Sequence, residues 1–135
     1  MSRSVGTHRD QWLHNRSFLE QIGPRFPDWF VIVAFYTALH AIDMLLETDG
    51  LRPTSHETRR AYLRGHNKYK AVWSAYYPLD SLGHTMRYMA NRTTWVPWDQ
   101  IEQRVLNELL YPIEKSVLNL TKTTEDTPPK VKVHA

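Results

Sequence analysis

Seven histidines and eleven arginines among 135 residues are the side chains of this sequence best suited to chemistry. Histidine titrates near neutrality and arginine holds phosphate oxygens with a rigid fork of donors. Together they can activate a 2′-hydroxyl, protonate a leaving group and neutralise a phosphoryl oxygen without a metal. His40, His56, Arg59 and Arg87 are the expected catalytic set, with His14, Asn15, Arg60, His84 and Asn91 expected to hold substrate. Each also has a plainer reading: a hydrogen-bonded core histidine at His40, a solvated helix face at Arg59 and Arg60, a salt bridge at Arg87.

The segment FYTALHAIDMLLE, residues 35–47, raises the question of position most sharply. Tyr36, His40, Asp43 and Glu47 fall at i, i+4, i+7 and i+11, one polar stripe along an otherwise apolar helix. Such a stripe faces water, a partner or a site. His40 and Asp43, at i and i+3, could both ligate one ion, but no Glu-x-x-His or His-x-x-x-His pair supplies a second helix, so no metal site and no cofactor is assigned. The chain has no cysteine, which excludes disulfides and thiolate chemistry, and no Gly-rich phosphate loop or Gly-x-Ser-x-Gly elbow.

Hydrophobic periodicity predicts helices throughout and no strand. The first runs from Thr7, read as its N-cap, to Ile22, stopped by GPRFPD; the second from Pro27 or Asp28 to Thr48, stopped by Asp49-Gly50. A third covers Ser55 to Arg64, capped by Thr54 or Ser55. A fourth spans Asn67 to Asn91, split into two segments or kinked at Pro78, burying Leu79, Leu82, Met86 and Met89 and leaving Asp80, His84, Arg87 and Asn91 on another face. The last starts near Pro97 to Asp99 and reaches Leu120, bent at Pro112. These elements define one all-α domain over residues 1–120, followed by a tail, 121–135, expected to be disordered.

The order of motifs HRDQWLHNRSFL, PDWFVIVAFYTALHAIDMLLETDG, SHETRRAYL and YYPLDSLGHTMRYM resembles small stand-alone HEPN-domain proteins over residues 7 to 120. The resemblance implies an up-and-down bundle of four to five helices, a homodimer, and a family rich in metal-independent ribonucleases of toxin–antitoxin, CRISPR and antiphage systems. Those enzymes carry Arg-x4–6-His late in the domain, and the matching arginine here is Arg87. Tyr88 follows it and Arg92 stands where histidine is expected, so the motif is degenerate.

A net charge of +3 and a pI near 9.3 are compatible with nucleic acid as partner. The expectation is a cytoplasmic protein that acts on RNA or nucleotides, cleaving RNA without metal, with an antitoxin or effector protein as a further partner. The alternatives are a non-catalytic HEPN module that binds RNA, nucleotide or protein, and a helical metal protein. The apolar run WFVIVAFYTALHAIDMLL is broken by Thr37, His40 and Asp43 and is expected to be a core helix rather than a membrane span; no secretory signal is visible at MSRSVGTHRDQW.

Overall fold

The computed structural model describes residues 5–89, 97–122 and 127–133. The described chain is an all-α bundle: α1 (Val5–Ile22), α2 (Pro27–Thr48), α3 (His56–Gly65), α4 (Lys70–Met89), and a last rod made of α5 (Trp98–Ile101), a π-helical segment (Glu102–Leu110) and α6 (Tyr111–Thr121). Helix α1 is already running at Val5, so Thr7 lies inside it rather than capping it.

Helix α2 is the axis of the bundle. By length and composition it could cross a membrane, yet fourteen of its 22 residues are buried against α1, α4, α6 and the π-helical segment. Phe30, Phe35, Ile42, Leu45 and Leu46 are fully buried, each stabilising the fold by about 1.5–3 kcal/mol relative to exposure. Its end is a Schellman motif: Gly50, at φ +81°, donates to the Glu47 carbonyl and Leu51 to that of Leu46. Helix α3 begins at Ser55, whose Oγ accepts from the Thr58 amide at 3.1 Å. The cap is therefore Ser55, not Thr54, and it places His56 on the first turn.

Neither internal proline ends its helix. Helix α4 runs through Pro78 without interruption, because Val72, Tyr76 and Leu79 are buried on either side and packing offsets the lost hydrogen bond. Ahead of Pro112 the helix is wound wider, and the Tyr111 amide donates to the Leu106 carbonyl five residues back. The wider winding accommodates a ring that would otherwise crowd the Glu108 carbonyl.

Asp80, on the polar face of α4, is buried. Residues 127–133 lie against the bundle: Val131 is buried, its amide donates to the Tyr111 hydroxyl at 2.9 Å, and the Pro129 carbonyl accepts from Arg16.

Candidate functional site

The polar stripe of α2 does not act as a unit, because its four members turn to three different neighbours. Asp43 takes a bidentate ion pair with Arg59 of α3, Nε at 2.6 Å and Nη2 at 2.8 Å, and both side chains are buried. Burial works against the Arg59 charge, but the hydrogen bonds and charge of Asp43 outweigh it and raise the guanidinium pKa. Arg60 likewise pairs with buried Asp80, Nε at 2.6 Å. Arg59 and Arg60, expected to contact substrate, thus hold charges already matched by carboxylates. They lock α3 onto α2 and α4.

Arg87 is different. It is half-buried, and among the described residues it has no carboxylate partner. Its guanidinium carbon lies 5.0 Å from the centre of the Phe35 ring and 5.7 Å from those of Tyr36 and Tyr88, and Nη1 donates to the Tyr36 hydroxyl at 3.3 Å. Cation–π contact steadies the group without neutralising it. Gly83, one turn earlier on α4, makes this seat: a Cβ there would meet the Phe35 Cβ and Cγ at 3.0 Å, so only glycine lets α4 approach α2 this closely.

His56 shares the neighbourhood, with its ring 6.0 Å from that of Phe35. Burial lowers its pKa first, then the charges of Arg59 and Arg87, so the ring is neutral at pH 7. Its Nδ1 lies 3.2 Å from Arg59 Nη1. An arginine can only donate, so Nδ1 accepts and the proton of the neutral ring sits on Nε2. His56 therefore offers a hydrogen-bond donor to an anion and is badly set to serve as a base.

His40 sits in a different setting, against α1. Its Nδ1 is 3.2 Å from Nδ1 of His8, and His8 Nε2 is 3.5 Å from Glu47, which also meets Arg52 at 3.1 Å. A carboxylate only accepts, so His8 presents its Nε2 proton to Glu47, and one proton is shared between the two facing Nδ1 atoms. His40 itself is half-buried. With Gln11, Asn15, Phe18, Val33 and Tyr36 it lines a cleft of about 330 Å³ between α1 and α2. Asn15 is held there by Gln11 at 2.9 Å. Tyr36, which the sequence reading left out of the site, is the hinge of the arrangement, lining this cleft with its ring while its hydroxyl meets Arg87.

Of the remaining expected residues, His14 is exposed on α1, His84 is exposed beside the Tyr88 ring at 4.8 Å, and Asn91 lies outside the described residues, as does Arg92. His40 and Asp43 do not converge on one ion, and no group of three or more metal-ligating side chains occurs among the described residues. Beyond the cleft, Phe18, Phe26, Trp29 and Ile32 line an apolar groove of about 760 Å³. No family model, curated protein or solved structure matches this chain.

The His56 setting has a pH consequence. Because its folded pKa lies below the unfolded 6.5, the unfolded state takes up the proton first, and stability falls as pH drops from 7 through the depressed value. A His56→Asn variant, which keeps an acceptor for Arg59, should lose this part of the slope. Urea melts of both proteins at pH 7 and pH 5 check it; equal slopes would show that His56 titrates normally.

Proposed function

We propose that this protein binds RNA, seating a backbone phosphate on Arg87 with the Tyr36 hydroxyl and His56 beside it. One observation carries the reading: a half-buried guanidinium with no carboxylate among the described residues, next to a histidine held neutral. A half-buried guanidinium with no carboxylate beside it leaves its donors and charge available to an anionic ligand. The HEPN-like motif order points to the same ligand class and to a homodimer, in which the Phe18–Phe26–Trp29 groove is the apolar surface available for pairing.

A second reading, metal-independent RNA cleavage in a toxin–antitoxin or antiphage setting, is favoured by the His40–His8–Glu47 series. In that reaction the His40 imidazole takes the 2′-hydroxyl proton, the 2′-oxygen attacks phosphorus, and the 5′-oxygen leaves with a proton from water. His8 and Glu47 hold the ring in place.

One assay tests both. Purified protein is titrated into structured and single-stranded RNAs in EDTA at several salt concentrations, beside Arg87→Ala and His40→Ala. Arg87→Ala should weaken binding by about tenfold or more and reduce the salt slope by about one. Products with 2′,3′-cyclic phosphate ends, lost in His40→Ala, establish cleavage. Binding without products leaves the module reading, and Arg87→Ala binding at wild-type strength overturns the phosphate seat.

A further inference from the structure

Helix α4 carries four aromatic rings at helical spacing: Tyr77, His84 and Tyr88 are exposed, and Trp73 is partly buried with one side against the core. At about 100° per residue they fall within roughly a 60° arc, so they form a single stripe along the helix. Tyr77 is 57% exposed and Tyr88 70%, far beyond what tyrosines packed for stability show. The rings stand in pairs, Trp73 with Tyr77 at 5.3 Å and His84 with Tyr88 at 4.8 Å. Buried Asp80 separates the pairs and ties α4 to Arg60 beneath.

The stripe is bordered by positive charge. Arg64 lies 5.8 Å from the Trp73 ring, Arg87 lies 5.7 Å from the Tyr88 ring, and Lys70 is exposed on the same face. Neither Arg64 nor Lys70 forms an ion pair among the described residues. Flat apolar faces interleaved with unmatched cations suit a polyanion that also offers flat faces. Trp73 to Tyr88 spans about 22 Å at 1.5 Å per residue. At roughly 3.4 Å per stacked nucleotide this is room for about six.

We infer that the exposed face of α4 is a track for single-stranded RNA, on which bases stack against Tyr77, His84 and Tyr88 while phosphates meet Arg64 and Arg87. This rests on the phosphate seat at Arg87 and adds the form of the substrate. A duplex keeps its bases stacked on one another and hides their faces, so a convex aromatic helix gains nothing from it beyond phosphate contact. Stacking also tolerates any base, so the track reads strandedness rather than sequence.

The test is fluorescence anisotropy with a labelled single-stranded RNA oligonucleotide and the same strand annealed to its complement, using the full chain. The single strand should bind more tightly than the duplex. Tyr77→Ala, which does not touch Arg87, should weaken single-strand binding by about fivefold to a hundredfold with the duplex affinity unchanged, and Tyr88→Ala should weaken single-strand binding by a larger factor than duplex binding. Tyr88→Phe, which keeps the ring, should bind as wild type does. Both tyrosines are exposed, so folding should survive, and circular dichroism verifies it. If Arg87→Ala loses binding while Tyr77→Ala and Tyr88→Ala do not, or if the duplex binds as tightly, the track is wrong and the phosphate seat stands. If the wild-type protein binds neither RNA, both fall.

Discussion

Replacing Asp43 by alanine should lower the unfolding free energy by about 3–5 kcal/mol, the cost of leaving a buried charge without its partner. The Arg59 side chain is 8% exposed and both arms of its fork end on Asp43. A domain of this size has only about 5–15 kcal/mol of stability, so a large part of it rests on one side chain. The double variant Asp43→Leu with Arg59→Met should recover most of the loss, because apolar groups of similar volume remove the charge along with the partner. Urea denaturation of the wild type, the single and the double variant measures the three values. An Asp43→Ala protein that melts like the wild type would mean that Arg59 reaches solvent and is available to a ligand after all.

The second large effect is expected at Glu114. This buried carboxylate accepts from Trp12 Nε1 at 2.6 Å and from Arg16 Nη1 at 2.5 Å, joining the last helix to the first. Glu114→Ala leaves a buried guanidinium uncompensated and an indole N–H without an acceptor, at a cost of about 3–5 kcal/mol. The damage should spread in a defined direction. Arg16 also donates to the Pro129 carbonyl, so loss of Glu114 frees the guanidinium to move and loosens the segment over 127–133. Limited proteolysis should cut that segment faster in the variant, under conditions where α2 remains protected from hydrogen exchange. Equal cutting rates would show that Val131 and the Tyr111 hydroxyl hold the segment without Arg16.

Asp43 is a polar residue that looks functional in the sequence, and Glu114 gives no such signal. Asp43 sits in the same stripe as His40, and its buried pairing with Arg59 withdraws both from the site. Arg87, by contrast, is marked by what it lacks. Its position was legible from the motif order, but its unmatched charge was not, since that depends on which carboxylates Arg59 and Arg60 engage. Tyr77 and Tyr88 were legible in principle from the 73, 77, 84, 88 spacing, yet spacing cannot tell an exposed stripe from a core one.

The all-α character, the stops at residues 23–28 and 49–50, the cap before His56 and the apolar centre of α2 follow from interactions within about four residues of each position. Turn geometry, capping and periodicity are local, so the order of amino acids carries them directly. The exceptions are instructive for the same reason: Pro78 and Pro112 are local breakers overruled by burial on both sides or by a wider helical winding. Asp43 and Arg59 are 16 residues apart, His8 and His40 are 32, Tyr36 and Arg87 are 51, and Trp12 and Glu114 are 102. Which of these meet, and therefore which ring nitrogen of His56 holds a proton, was decided by how the helices pack. A side chain's charge state and hydrogen-bonding role belong to its neighbours in space, and only the folded chain selects them.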